Sequence, residues 1–321
     1  MLAATCTSQS PDVPLSGLTV GESAPPDVPE GWVRVHVRAA SLNHHDLWSL
    51  MGVGLAADRL PMILGCDASG VTDDGQEVVV HGLVGSPSWD GDETLDPKRS
   101  ILSELHQGSL AEQVIVPRRN LVPKPASLSF EESACLPTAW LTAYRMLFTQ
   151  SGLKPGNTVL IQGAGGGVAT AAIALARAAG FVVWATSRDE SKRAKALAIG
   201  AHAVFESGAR LPGKVDAVIE TVGKATWSHS LRALRSGGTV VVSGATSGPD
   251  PSADLNRVFF LQLRVVGSTM GTRDELVQLI SFLEATGVRP LIDEVFALKD
   301  AAAAFAKLAS GDVFGKLVLT P

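Results

Sequence analysis

The stretch Thr158 to Lys192, TVLIQGAGGGVATAAIALARAAGFVVWATSRDESK, decides the fold. It opens with the apolar run Val159 to Ile161 and breaks into glycine at Gly163, Gly165, Gly166 and Gly167. An alanine-rich pattern with helical spacing runs from there to Gly180, and a second apolar run, Phe181 to Ala185, follows at once. Strand, glycine turn, helix and second strand within about 30 residues make a β-α-β unit. Glycine lets the backbone turn sharply and lets a ligand come close, while the helix that starts near Val168 aims its free N–H groups and positive dipole end at that ligand. A pyrophosphate suits this arrangement. The spacing is not the strict G-x-G-x-x-G, because Val168 stands where the third glycine would be. It fits G-x-x-G-x-x-A through Gly163, Gly166 and Ala169, and alanine is still small enough for close helix-to-strand packing.

The end of the second strand bears on which nucleotide is bound. Units that bind NAD place Asp or Glu there, about 20 residues beyond the glycines, to hold the adenosine ribose 2′-hydroxyl. Here Ser187 takes the position, 24 residues after Gly163, with Arg188 beside it and Lys192 one turn on. No carboxylate repels a 2′-phosphate, and a hydroxyl, a guanidinium and an ammonium attract one, so the reading is NADPH. The alternative is that Arg188 and Lys192 are solvated charges opening a surface helix, with Asp189 and Glu190 diluting the basic signal.

The alternation continues downstream. Strands at Ala203 to Phe205, Asp216 to Thr221, Thr239 to Gly244 and Leu263 to Gly267 bring the total to six. Helices at Lys192 to Ile199 and Thr226 to Leu234 lie between them, with a turn at Ser236 to Gly238. This is an α/β fold with a doubly wound parallel six-stranded sheet, whose ligand crevice lies at the C-terminal strand ends. Thr221, Val222, Gly223, Gly244, Ala245 and Thr246 fall at those ends and are expected to line the nucleotide groove.

Upstream, Gly31 to Ala39 alternates Trp32, Arg34, His36 and Arg38 against Val33, Val35, Val37 and Ala39, the pattern of a strand with one buried face. His36 is therefore expected on the exposed face. Next comes SLNHHDLWSLMG, Ser41 to Gly52, which packs Asn43, His44, His45, Asp46 and Trp48 into six positions. So many hydrogen-bonding groups are costly to bury without a purpose, which makes this the leading substrate-site candidate. A metal pair is the rival reading, but adjacent histidines point apart, and only Cys66 and Asp67 in the GCDASG turn offer further ligands nearby. Asp46 and Asp67 can equally serve to tie down loops.

Glu77 to Val80 and Leu110 to Val116 read as strands, Gly82 to Gly108 as a polar loop, and Pro117 to Pro125 as a stiff connector at a domain boundary. Ser129 and Glu132 form a capping box for the helical region Phe130 to Gln150. In that region Leu141, Tyr144 and Leu147 recur at helical spacing, so Tyr144 is read as packing. The last fifty residues hold helices at Arg273 to Thr286 and Lys299 to Ala309 and a strand at Gly315 to Leu319, expected to complete the first domain.

Length and composition agree with two domains. The chain has 321 residues, and 27 basic against 32 acidic residues give a net charge of −5, with no basic excess that would suggest a nucleic-acid partner. Cys6, Cys66 and Cys135 are too far apart for a disulfide framework or a cysteine-rich zinc lobe. MLAATCTSQS lacks the basic and apolar regions of a secretory leader, and Arg177 and Gly180 interrupt the most apolar stretch, so a soluble, cytoplasmic protein without membrane association is expected.

Taken together, AASLNHHDLW, LGCDASGV, GSLAEQVIVP, RNLVPKPASLSFEESACLPTAWLTAYRML, GAGGGVA, GATSG, GSTMGTRDEL and FGKLVLTP resemble the medium-chain dehydrogenase/reductase superfamily. The likeness is to its zinc-less quinone oxidoreductase-like branch and the related zinc-type alcohol dehydrogenase-like proteins, and it covers nearly the whole chain. It implies a Rossmann NADP(H)-binding domain at 126–267 and a GroES-like, mainly β catalytic domain at 1–125 and 268–321. The three catalytic zinc ligands of the family's alcohol dehydrogenases fall on Asn43, Cys66 and Thr138, of which only Cys66 is a soft ligand. A catalytic zinc needs three protein ligands plus water, so a zinc-independent enzyme with no metal is expected.

By the same resemblance His45 falls at the proton-relay position, and His44 at a contact to a cofactor phosphate. Trp48 stands where quinone oxidoreductases carry Tyr. An NADPH-dependent enone or quinone reductase is then expected, acting on a small carbonyl or quinone substrate. Asn43, His45 and Trp48 would face the developing oxyanion, and Thr138, Gly163, Gly165, Gly166, Gly167, Val168, Ser187, Arg188 and Lys192 the cofactor. The alternatives are an alcohol or aldehyde dehydrogenase with a metal set drawn from His44, His45, Cys66 and Asp67, and a non-catalytic NADPH-binding sensor. The family pairs the last strand of the nucleotide domain across a two-fold axis, which makes Gln262 to Gly267 the expected homodimer seam.

Overall fold

The six runs read as strands form one parallel sheet in the computed structural model, which describes residues 1–321. Across the sheet the order is Ala203–Phe205, Val182–Thr186, Thr158–Ile161, Val215–Glu220, Leu234–Val242, Arg264–Gly267. The chain winds outward from Thr158–Ile161 in both directions, which places the switch point of the sheet beside the glycine turn. Helices Gly167–Ala178, Glu190–Ala198 and Lys224–Ala233 supply the crossovers. Leu160, Val218, Leu231 and Val240 are fully buried between the layers.

One expected turn is not a turn. Ser236 to Gly238 belongs to the strand Leu234–Val242, whose register against its neighbour jumps from Val215 opposite Leu234 to Ala217 opposite Thr239. The extra residues bulge out, and glycine is the residue that allows a strand to do so.

This sheet belongs to a unit formed by Trp140–Gly271 and Thr286–Val288; the other unit is Met1–Ala139, Thr272–Ala285 and Arg289–Pro321. The second unit is built on a seven-stranded sheet ordered Leu121–Pro123, Glu77–Val80, Ala68–Thr72, Trp32–Ser41, Lys316–Thr320, Ile292–Ala297, with Gln113–Pro117 also paired to Trp32–Ser41. All its pairs are antiparallel except Ile292–Ala297 with Lys316–Thr320. A smaller sheet joins Leu2–Cys6 to Leu18–Glu22 and Met62–Ile63. Val33, Val35, Val37 and Ala39 are buried as the alternation requires, while His36 on the other face meets Asp73 at 2.8 Å.

Two further stretches differ from the sequence reading. Pro117 to Pro125 is not a free connector, because Leu121–Pro123 pairs antiparallel with Glu77–Val80. Gly82 to Gly108 contains a hairpin pairing of Leu83–Val84 with Ser100–Ile101 and a 3₁₀ turn at Glu93–Leu95. The capping box of Ser129 and Glu132 is formed, and Phe130–Ala134 leads into π-helical and α-helical turns as far as Gln150. Tyr144 packs its ring on Phe148 at 4.7 Å. The three cysteines are free and buried, and no helix is long and apolar enough to cross a membrane.

Candidate functional site

The polar run after Trp32–Ser41 folds as the helix His44–Leu50, because Asn43 caps it and Asp46 closes a capping box onto the Asn43 N–H at 2.8 Å. The other oxygen of Asp46 accepts the Gly65 N–H at 3.0 Å, which ties the helix start to the turn before Cys66. Asp46 is fully buried, so both its oxygens serve the backbone.

Asn43 is held from three sides. Its Oδ1 accepts from the Lys316 ammonium at 2.7 Å, and its Nδ2 donates to Asp67 Oδ2 at 2.8 Å and toward Cys66 Sγ at 3.6 Å. Lys316 also donates to the Leu42 carbonyl at 2.6 Å and lies 3.5 Å from Asp67 Oδ2, which accepts the Ser41 hydroxyl as well. Lys316 and Asp67 are 3% and 0% exposed, so this ion pair is sealed from water. The amide protons of Asn43 are thus engaged within the cluster, and its expected part as an oxyanion donor gives way to one of orientation. The sequence reading missed Lys316; a lysine opening the apolar strand LVL was its only local signal.

His45 stands differently. Its Nε2 meets Glu104 Oε1 at 3.1 Å, and its Nδ1 is buried with no hydrogen-bond partner. Burial pushes the imidazole down, but the neighbouring Cys66 sulfur and the Glu104 carboxylate push it up further and leave it well above its ordinary 6.5. Burial and the Asp67 carboxylate push the Cys66 thiol up in turn. Cys66 therefore stays a thiol at physiological pH, and Glu104 is a hydrogen-bond partner that favours the imidazolium. Nothing in the sequence pointed to Glu104, which lies 59 positions from His45. The half-buried Thr138 places its hydroxyl 3.4 Å from Cys66 Sγ. His44 is exposed on the same helix, its ring 6.4 Å from that of the half-buried Trp48.

His45, Asp46 and Cys66 bring one ligand atom each within 4.8 Å of one another. The donor set does not fit a catalytic zinc. Both Asp46 oxygens already hold backbone N–H groups with which a metal would compete, Asn43 and Thr138 offer an amide and a hydroxyl, and Asp67 is tied to Lys316 outside the cluster. Only His45 Nδ1 and Cys66 Sγ are not already held by backbone N–H groups, and the raised Cys66 thiol opposes the thiolate that zinc requires.

In the other unit, Gly163 turns the chain at φ +72, and a Cβ there would stand 2.6 Å from Val222 Cγ2. Gly166 caps the helix Gly167–Ala178, and the space where its Cβ would stand is open. A phosphate can come up to the free N–H groups at that spot, so the cradle fits a dinucleotide. Ser187 closes Val182–Thr186, with Arg188 exposed beside it and Lys192 half-buried. Asp189 caps the next helix by accepting the Lys192 N–H at 3.1 Å, which accounts for an acid in the basic stretch. Arg193, which the sequence reading passed over, holds the loop through the carbonyls of Ser187 and Arg188 at 2.8 and 3.2 Å.

The remaining strand-end residues meet as well. The Thr246 N–H reaches the Thr221 carbonyl at 3.4 Å, Ser247 bonds the Val222 carbonyl, and a Cβ on Gly244 would stand 3.0 Å from the Thr221 oxygen. Gly163, Gly165, Gly166, Gly167, Val168, Ser187, Thr221, Val222, Gly244, Ala245 and Thr246 therefore share the C-terminal end of one sheet.

Comparison with known proteins matches residues 29–126 to the alcohol dehydrogenase GroES-like domain and residues 167–285 to the zinc-binding dehydrogenase domain. A zinc-type alcohol dehydrogenase-like protein of Schizosaccharomyces pombe is 31% identical, with 90% of each chain covered. The 2-methylene-furan-3-one reductase of Solanum lycopersicum is 31% identical over 93% of this chain and 74% of its own. A spectinabilin polyketide synthase protein of Streptomyces orinoci is 32% identical over 93% of this chain, which spans 13% of that protein's length. Among solved structures, an NAD-dependent alcohol dehydrogenase superposes with a TM-score of 0.92 at 33% identity, all of both chains covered. A 2-octenoyl-CoA carboxylase reductase in complex with NADP and 2-octenoyl-CoA superposes with a TM-score of 0.91 at 26% identity, covering 99% of this chain and 87% of that one.

Proposed function

Because this chain belongs to the medium-chain dehydrogenase/reductase superfamily, we propose that it is a zinc-independent, NADPH-dependent reductase of α,β-unsaturated carbonyl compounds or quinones. The unit Trp140–Gly271 with Thr286–Val288 serves as its nucleotide domain and the other unit as its catalytic domain, which shifts the sequence bounds of 126–267 and of 1–125 with 268–321. The observation that carries this reading is His45, a half-buried imidazole held on one nitrogen by Glu104 and without a hydrogen-bond partner on the other, beside an Asp46 whose two oxygens already hold backbone N–H groups. Relatives that reduce a methylene-furanone and an octenoyl thioester support a conjugated acceptor, and the NADP complex of the latter supports the cofactor.

NADPH, when bound, supplies the hydride. Without a Lewis acid an isolated ketone is a poor acceptor, whereas a conjugated system takes hydride at carbon and leaves an enolate or phenolate that a hydrogen bond can hold. One well-placed donor contributes about 3 kcal/mol. His45 is the group to hold and release that proton, since Cys66 and Glu104 raise its pKa and Nδ1 has no hydrogen-bond partner. Asn43, fixed by Lys316 and Asp67, sets the start of the helix that carries His45 and Trp48.

The test is oxidation of NADPH and NADH by metal-stripped protein against quinones, enones, aldehydes and saturated ketones. Turnover of conjugated acceptors with NADPH alone is expected. A requirement for added zinc, or turnover of saturated ketones only, would replace this reading with that of an alcohol dehydrogenase, which the 33%-identical NAD-dependent neighbour favours. Tight NADPH binding with no oxidation of any acceptor would leave a sensor. In the same assay His45→Gln is expected to lower kcat about 100-fold, the size of a lost general acid. Because the His45 pKa is raised, the protonated donor persists through neutrality, so wild-type activity should fall only as pH rises through that elevated value. The variant should lose this alkaline limb, and an unchanged pH profile would assign the proton to another group.

We also assign a homodimer to the free edge of the parallel sheet. Arg264–Gly267 has no outer partner, and Val265, Leu255, Phe259 and Phe260 around it are 50%, 70%, 68% and 79% exposed. Sedimentation should find a dimer at micromolar concentration, and Phe260→Glu should shift it to monomer; a monomeric wild type would remove the assignment.

A further inference from the structure

Beneath the nucleotide end of the parallel sheet lies a buried chain of polar side chains that neither the cofactor reading nor the proton chemistry uses. Gln162 directly follows the strand Thr158–Ile161, Thr186 ends Val182–Thr186 and Glu220 ends Val215–Glu220; all three are 0% exposed. His229 and Ser230, on the helix Lys224–Ala233, complete the group.

Every proton in this chain has one available direction. His229 Nε2 lies 2.9 Å from the Ala209 carbonyl, which can only accept, so Nε2 carries the hydrogen. Burial pushes the imidazole below its ordinary pKa, so it is neutral and Nδ1 is an acceptor. Gln162 Nε2, 2.9 Å from Nδ1, must then donate to it, and its second hydrogen goes to Ser230 Oγ at 2.9 Å. Ser230 passes its own hydrogen to Glu220 Oε2 at 2.6 Å. The amide orientation so fixed turns Gln162 Oε1 toward the Thr186 hydroxyl, which donates to it at 2.6 Å. Thr186 Oγ1 in turn faces the Gly163 N–H at 3.4 Å. At the far end Glu220 accepts the N–H groups of Val222 and Gly223 at 2.7 and 3.0 Å and the Thr226 hydroxyl at 2.8 Å.

Three turns meet over this network: Gly163 to Gly167, the Ser187 turn, and Thr221 to Gly223. We infer that Gln162 and Thr186, which are out of reach of any ligand, are positioning residues that set nucleotide affinity by locking these three turns into one geometry. The inference rests on the NADPH reading above. A side chain that bridges separate strand ends fixes distances that no single strand fixes, and an error of a fraction of an ångström at a pyrophosphate is felt as lost hydrogen bonds.

Thr186→Val keeps the shape and removes the hydroxyl, leaving Gln162 Oε1 without a donor. The expected result is NADPH affinity about tenfold weaker, a loss of about 1.4 kcal/mol. Adenosine 2′,5′-bisphosphate should weaken in parallel, and KM for NADPH should rise with kcat unchanged. Thr186→Ser, which retains the hydroxyl, should bind within about twofold of wild type, since only the lost hydrogen bond carries the tenfold effect. Equal affinity of Thr186→Val and wild type overturns the inference, as does an equal loss in Thr186→Ser. If Thr186→Val does not fold by circular dichroism, Ser230→Ala carries the same expectation and the same overturning result. Wild type that binds NADH in place of NADPH overturns the cofactor reading alone, and the tenfold comparison is then decided with NADH; wild type that binds neither overturns both.

Discussion

Gly163→Ala is expected to weaken NADPH binding on the order of 300-fold, about 3.4 kcal/mol. Two costs combine. The backbone at φ +72 lies in the left-handed region, where a side chain costs roughly 1–2 kcal/mol. The new Cβ would also stand 2.6 Å from Val222 Cγ2, on the adjoining strand-end turn, and overpacking of that kind costs about 1–3 kcal/mol. Relief of either displaces one of two turns that the pyrophosphate reading needs in register. Fluorescence titration of NADPH measures the loss, and Gly163→Ala with Val222→Ala separates its parts. The double variant should recover the share due to the clash and keep the share due to strain. Tight binding by the single variant would mean that the turn is not a nucleotide contact.

Lys316→Met is expected to destabilise its unit by about 3–5 kcal/mol, the cost of stranding a buried carboxylate without its cation. The ammonium is 3% exposed and serves the Leu42 carbonyl, Asn43 Oδ1 and Asp67 Oδ2, while Asp67 is 0% exposed. With the lysine gone, Asp67 is left in a site that water does not reach, without the cation that offsets its burial. Urea denaturation measures the loss, and adding Asp67→Asn should return most of it, because the stranded charge rather than the missing contact dominates. A loss below about 1 kcal/mol in Lys316→Met would mean that water enters the cluster and screens it. The active cluster should feel the change as well, since Asn43 loses the donor that turns its amide.

The fold was legible to the extent that it is written in neighbours. Alternation from Trp32 to Ala39 gave the buried face of Trp32–Ser41, and the glycines after Ile161 gave the β-α-β unit, because side-chain period and permitted φ are properties of a few consecutive residues. The same locality made Ser236 to Gly238 read as a turn, although glycine serves a strand bulge equally well and only the partner strand Val215–Glu220 decides between them. Pro117 to Pro125 was misread for the same reason, since its pairing partner lies some forty residues upstream.

By itself, then, the sequence determined the order of elements, the dinucleotide cradle, the capping box of Ser129 and Glu132 and the concentration of polar groups at Asn43 to Trp48. Tertiary structure alone decided what those groups do. Lys316 reaches Asn43 across 273 positions and Glu104 reaches His45 across 59, and these two contacts separate an amide that is locked from an imidazole that keeps one nitrogen without a partner. Gln162, Thr186 and Glu220 likewise became one network only when three strand ends came together. The physical reason is common to all of them. A buried polar group must find a partner, and which partner it finds depends on topology, which leaves no mark on the residues beside it.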